Sequence, residues 1–145
     1  MRSILGDRPL SDHHVEVGQR TEAVVIAELV KRGYRVLLPF GVNHRYDLVI
    51  DGDDKFVRAQ IKTGRLRNGA IVFSTKSCQS NTRRTVTRDY AGEAEIFLVY
   101  CPQTGQTYAV PVADAPKGYM YLRKGPTRNN QARRIHWAAD YALPA

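Results

Sequence analysis

Two short runs rich in aliphatic and β-branched residues, Tyr46–Asp51 and Phe56–Thr63, flank the turn-forming cluster DGDD at Asp51–Asp54. This arrangement constrains the segment to an antiparallel hairpin. Side chains alternate along a strand, so Arg58, Gln60 and Lys62 share one face of the second run while Ala59 and Ile61 point to the other. In the first run Asp47 shares a face with Val49. The hairpin therefore holds Asp47 near Gln60 and Lys62, three polar groups on a sheet face where apolar ones are expected.

The segments around the hairpin set the fold class. Ser11 and Asp12 offer N-cap side chains and Gly33 a C-cap, which brackets a helix over 13–32. On that helix Val15, Gly18, Glu22, Val25 and Leu29 recur at steps of three and four, so Glu22 lies on the stripe that faces a core. If the helix packs on the polar face of the hairpin, Glu22 arrives beside Asp47. Tyr34–Phe40, Ala70–Ser74, Ile96–Cys101, Thr107–Val112 and Tyr119–Arg123 read as strands, with PQTG closing a second hairpin. Thr75–Tyr90 is polar and basic without a clear period and reads as loop with room for a short helix. The segment NNQARRIHWAADY reads as a closing helix or an extended stretch. A helix followed by strands and mixed elements predicts a mixed α+β (α/β) domain, and 145 residues fit one domain, 1–145.

Charge is distributed unevenly. Of 22 Lys and Arg and 14 Asp and Glu, nine basic residues and one acid, Asp89, fall between Lys55 and Tyr90, so this window carries the entire formal excess of +8. Such a block suits a phosphate backbone, although a solvated face serving solubility has the same composition. Arg58, Arg65, Arg67, Lys76, Arg83, Arg84 and Arg88 are the candidate DNA contacts, with Tyr90 beside them. Cys78 and Cys101 have no metal-ligand spacing and form no disulfide framework, which favours a reducing, cytoplasmic setting. No run is apolar and long enough to span a membrane, and no signal peptide is visible.

The polar residues of the hairpin and helix make a chemical set. Asp47 and Glu22 offer hard oxygen ligands, Gln60 an amide oxygen and Ile61 a backbone carbonyl, a combination suited to magnesium with retained waters. Lys62 is a point charge able to position or deprotonate a water, or to stabilise charge on a phosphoryl oxygen. A reading in which Asp47 and Lys62 form a partly buried salt bridge, with Glu22 in solvent, stays open on these residues alone. The histidines are placed singly or, as His13 and His14, adjacent, and suggest no metal site. Glu93 and Glu95 have no role that the sequence assigns.

The pattern of Glu22, then YD with Asp47, then Gln60-Ile61-Lys62, resembles the PD-(D/E)XK nuclease superfamily. More narrowly, GQRTEAVVIAELVKRGYRVLLPFG, YDLVID, RAQIKTG, FLVYCPQTGQTYAVPV and NNQARRIHWAADY are similar to group I intron-associated (homing-type) endonucleases of that superfamily. The resemblance covers Gly18 to Tyr141. It implies a restriction-endonuclease-like core, a central mixed sheet with a β-meander flanked by helices. It also implies that Asp47 binds the metal, that Lys62 is the motif lysine, and that Glu22 holds the metal or its water. Tyr46 stands in place of the motif proline, which does no chemistry. Gln60 replaces a carboxylate, and the lost charge should weaken metal binding, although glutamine at this position fits the intron-associated branch.

The expected function is a metal-dependent endonuclease acting on double-stranded DNA. Mg2+ is the expected cofactor with Mn2+ able to substitute, and the catalytic set is Glu22, Asp47, Gln60 and Lys62. A structure-selective Holliday-junction resolvase and a non-cleaving DNA-binding derivative are the alternatives. Because duplex cleavage needs two strand cuts from a small domain, a homodimer or homotetramer is expected.

Overall fold

The computed structural model describes residues 4–80, 85–127 and 134–144. A single long helix, α1 (His14–Lys31), precedes a β-meander of β1 (Arg35–Leu37), β2 (Leu48–Asp51) and β3 (Phe56–Thr63). Then come β4 (Arg65–Arg67), β5 (Ala70–Ser74), β6 (Ser77–Ser80), β7 (Thr85–Arg88), β8 (Ile96–Cys101), β9 (Gln106–Pro111), β10 (Tyr119–Arg123) and β11 (His136–Trp137). The main sheet has the order β1-β2-β3-β8-β9, with β3 and β8 parallel and its other pairs antiparallel. A second sheet has the order β11-β10-β5-β4, and β6 with β7 forms a separate ribbon. The mixed α+β class and the meander are as the sequence predicts. Among the described residues α1 is the one α-helix, and the layer opposite it is the second sheet.

The ends of α1 follow from its local sequence. His13 is the N-cap without a side-chain cap bond, and its N–H donates to Ser11 Oγ at 3.1 Å. At the other end Gly33 adopts φ +85°, and the N–H groups of Gly33 and Tyr34 donate to the carbonyls of Val30 and Leu29. This closes the helix with two bonds to otherwise orphaned carbonyls, in a conformation that glycine adopts without a steric penalty. The buried stripe is Thr21, Val25 and Leu29, while Val15 is half exposed.

Strand β8 explains the layering. Its Leu98 packs with Val25, Leu29, Leu48, Ile50 and Ala59 under α1, whereas Phe97, Val99 and Cys101 face Ile71, Phe73, Met120 and Leu122 of the second sheet. Both faces of β8 are covered, which is why IFLVYC reads as a continuous apolar run. β3 differs: Val57, Ala59 and Ile61 pack under α1, and none of its residues joins the core between the sheets. The polar row Arg58, Gln60, Lys62 is tolerated because apolar packing stops there.

Several expectations are corrected. The strand expected over Tyr34–Phe40 shortens to Arg35–Leu37, with Leu38 and Phe40 exposed. In place of a loop with a helix, Thr75–Tyr90 contains the β6–β7 ribbon, paired from Ser77↔Arg88 to Ser80↔Thr85. Val86, Thr87 and Arg88 are exposed in succession, so this stretch of β7 shows no alternation of buried and exposed residues to read. β4 was not anticipated. In the closing segment His136–Trp137 is extended and pairs parallel with β10, followed by a 3-10 turn at Ala138–Asp140.

Gly64 makes the passage from β3 to β4 possible. Its N–H donates to the Tyr100 carbonyl at 2.8 Å, and a Cβ there would lie 2.6 Å from Ile71 Cγ2 and 3.0 Å from Val99 Cγ1. Both neighbours are branched core side chains with little room to move. Gly64→Ala is expected to destabilise the fold by about 1–3 kcal/mol through overpacking. Chemical denaturation of the variant beside wild type measures this, and an unchanged midpoint would show that the corner relaxes freely.

Candidate active site

The site opens where β3 outruns β2. Leu48 pairs with Ala59, and the last main-chain contact is the Asp47 N–H donating to the Ala59 carbonyl at 2.9 Å. Beyond it, on that edge, the Ile61 N–H has no strand partner and instead donates to Asp47 Oδ2 at 2.8 Å. The N–H and C=O of an extended residue leave the strand on the same side, so the Ile61 carbonyl opens on the same gap. Register places Asp47 opposite Gln60, as the hairpin pattern predicts.

Glu22 reaches this gap from above, by a route the sequence did not predict. α1 packs on the Ala59 and Ile61 face of β3, not on the Gln60 and Lys62 face. Thr21 Oγ1 and Thr63 Oγ1 share a hydrogen bond of 2.7 Å, which fastens the helix over the end of β3. Glu22, the next residue, thereby leans over the strand end into a cleft of about 300 Å³ lined also by Asp47, Gln60, Ile61 and Thr63. Glu22 and Asp47 also wall an adjoining cleft with Leu38, Pro39, His44 and Tyr46. The helical carboxylate thus arrives at the strand pair as expected, although from the opposite sheet face.

Lys62 is held from below. Its Nζ donates to the Lys76 carbonyl at 3.0 Å and to the Tyr90 hydroxyl at 3.4 Å. The Arg45 guanidinium lies 4.7 Å from the Tyr90 ring centroid, and is itself bound by Glu93, Ser77 Oγ and the Asp89 carbonyl. Burial lowers the Lys62 pKa to about 8, opposed by the Asp47 charge and reinforced by Arg45. Burial also raises Asp47, against the Ile61 N–H and Lys62, while burial and the Asp47 charge raise Glu22.

Among the described residues neither Glu22 nor Asp47 forms an ion pair within 4 Å, so the direct Asp47–Lys62 salt bridge is not present. Nor is there among them a group of three or more His, Cys, Asp or Glu placed so that they could hold a metal ion together. Two unpaired carboxylates with a backbone carbonyl and an amide nevertheless make an oxygen-only set, which fits a hard divalent cation that keeps several waters.

A family model for PD-(D/E)XK endonucleases matches residues 13–144, nearly the whole chain. The chain belongs to the PD-(D/E)XK endonuclease family. The solved structure of a bacterial homing endonuclease, I-Ssp6803I, is similar with a TM-score of 0.72 at 22% identity, covering 90% of this chain and 88% of that one. No curated protein matches the chain. Asp47, just before β2, and the half-buried Lys62 are the residues that the resemblance would assign to the motif.

The basic window of this endonuclease divides into tied and free cations. Arg58 is bound to Glu95 through two nitrogens, at 2.7 and 2.9 Å, and Arg88 pairs with Glu93. This gives Glu93 and Glu95 the roles that the sequence left blank. Tyr90, expected near phosphates, is instead 4% exposed and packs edge-on against Phe97 at 5.5 Å. Arg65 and Arg67 are exposed and unpaired, Lys76 Nζ lies 5.7 Å from the Tyr119 ring, and Arg83 and Arg84 lie outside the described residues. Sequence reasoning missed Thr21, Thr63 and Arg45. The steps of four from Thr21 to Val25 and Leu29 could have revealed the first of these.

Raised carboxyl pKa values mean that the ionised forms of Glu22 and Asp47 burden the metal-free fold. This penalty is absent below the unfolded pKa values, near pH 4, and complete once pH has passed the raised folded values. Glu22→Gln and Asp47→Asn are therefore expected to raise the metal-free Tm at pH 7, with the gain vanishing by about pH 4. Added magnesium should stabilise wild type and leave the variants little changed. Thermal melts across pH, with and without the ion, test this; variants no more stable than wild type at pH 7 would contradict it.

Proposed function

We propose that this PD-(D/E)XK endonuclease is a magnesium-dependent enzyme that hydrolyses phosphodiester bonds of double-stranded DNA, of the homing or restriction-like type. The observation that carries the reading is the convergence of Glu22 and Asp47, neither in an ion pair among the described residues, on the Ile61 edge of β3 beside the half-buried Lys62. In it Asp47 and the Ile61 carbonyl hold Mg2+, or Mn2+ in its place, and Glu22 and Gln60 complete the shell partly through water. The bound ion supplies Lewis acidity toward a phosphoryl oxygen and toward the attacking water.

The residues divide the remaining work. The Ile61 N–H fixes one oxygen of Asp47 and leaves Oδ1 for the cleft. Lys62, held by the Lys76 carbonyl and Tyr90, has its pKa lowered to about 8, so that its ammonium form can orient the nucleophilic water and its neutral amine form can take a proton from it. Gln60 offers oxygen without charge, so cation binding is weaker than with a third carboxylate.

Two strand cuts call for two active sites, and we place the enzyme in a symmetric homodimer or homotetramer acting in the cytoplasm. No helix among the described residues is long and apolar enough to cross a membrane. Sedimentation of the free and DNA-bound protein tests the assembly, and a monomer in both states would reject it.

The decisive assay is cleavage of plasmid and linear duplex with magnesium. Asp47→Ala and Lys62→Ala are each expected to lose about 10²–10⁴-fold in rate. Gln60→Glu is expected to lower the magnesium concentration needed for half-maximal cleavage. Folded variants that cut as fast as wild type would remove the assignment. Preference for four-way junctions over linear duplex would favour the resolvase reading, and DNA binding without cleavage or metal heat the non-cleaving one.

A further inference from the structure

The outer face of the second sheet forms a trough that the cleft chemistry does not use. Register aligns Arg65, Val72 and Tyr121 in one row across β4, β5 and β10, and Ser74 with Tyr119 in the next. Their alternates Ile71, Phe73, Met120 and Leu122 fill the core behind. Small side chains along β5 make the floor, arginines on β4 make one wall and tyrosines on β10 the other. The walls stand two strand spacings apart, about 10 Å.

The hollow measures about 490 Å³, and Thr63 lines both it and the cleft that holds Asp47. The trough and the site therefore adjoin at Thr63. Among the described residues Arg65 and Arg67 form no ion pair, and β4, β5, β10 and β11 contain no acidic residue. Tyr119 and Tyr121 are 54% and 56% exposed. Cations without counter-charges facing a row of solvated phenols are complementary to an anionic, hydrogen-bond-accepting polymer.

We infer that this trough is a track for the sugar–phosphate backbone of duplex DNA leading to the cleft, with Arg65 and Arg67 on phosphates and the Tyr119 and Tyr121 hydroxyls donating to backbone oxygens. The inference rests on the nuclease reading and adds the direction from which DNA enters. It also brings in two tyrosines from outside the basic window.

The test is anisotropy of a labelled mixed-sequence duplex with the full chain and EDTA, between about 50 and 200 mM salt. Arg65→Ala/Arg67→Ala should reduce the salt slope by about two, since each phosphate contact contributes roughly 0.9. Tyr119→Phe/Tyr121→Phe should weaken binding by roughly tenfold and keep the slope, because it removes hydroxyls and no charge. Arg35→Ala, on the far edge strand, should leave the slope unchanged. Wild-type binding together with unaltered slope and affinity in both double variants overturns the trough and leaves the nuclease reading standing. An equal effect from Arg35→Ala also overturns it, as a response to net charge alone. A wild type that binds no duplex at low salt removes both readings.

Discussion

The hydrogen bond from the Ile61 N–H to Asp47 is the contact on which the site depends. A backbone donor at a partly buried strand edge must find an acceptor, and here β2 has already ended. A carboxylate in the place of a neighbouring strand satisfies the donor and leaves the edge open, so the Ile61 carbonyl and the second Asp47 oxygen share one gap. Continuing β2 by two residues would cover both. The termination of a strand thus creates the oxygen pair, and the Thr21–Thr63 bond brings the third oxygen donor by pinning α1 above it.

Electrostatics around Lys62 follow from a network that the core supports. Tyr90 packs on Phe97, and Arg45 lies on its ring, tied to Glu93, Ser77 and the Asp89 carbonyl. This places a fixed positive charge near Lys62 and orients the phenol that receives its proton contact. The acids Glu93 and Glu95 absorb Arg45 and, from the basic window, Arg58 and Arg88, which therefore serve as internal bracing. Among the described residues Arg65 and Arg67 of β4 stay out of these pairs, on the surface that adjoins the cleft.

Local pattern was sufficient for some of this and not for the rest. Alternation and the DGDD turn placed Asp47 across from Gln60, because register in a tight hairpin is a short-range property. The C-terminal limit of the helix followed from Gly33, whose left-handed conformation ends α1, whereas the N-cap is His13 without the side-chain cap expected of Ser11 or Asp12. Which face of β3 the helix covers was not legible, since it depends on Ala59 and Ile61 meeting Val25 across a long stretch of chain. The stripe was read through Glu22 when it runs through Thr21, a polar residue buried because Thr63 bonds it. In β7 the successive residues Val86, Thr87 and Arg88 are all exposed and so carry no period, and β4 exists because Gly64 permits a corner that only the packed core reveals.

Gln60 becomes intelligible against the two carboxylates. Asp47 is already raised by burial, and Glu22 by burial and by Asp47, so the metal-free site resists its own negative charge. A third carboxylate on the row between Arg58 and Lys62 would add repulsion toward both. Arg58, bound to Glu95, is in no position to offset it. An amide keeps an oxygen at that position without the charge and limits the burden on the folded chain when no cation is present. On the proposed reading the consequence would be a looser grip on the ion, and the Ile61 carbonyl, fixed by the sheet and carrying no charge of its own, would be the donor that compensates without reviving the repulsion.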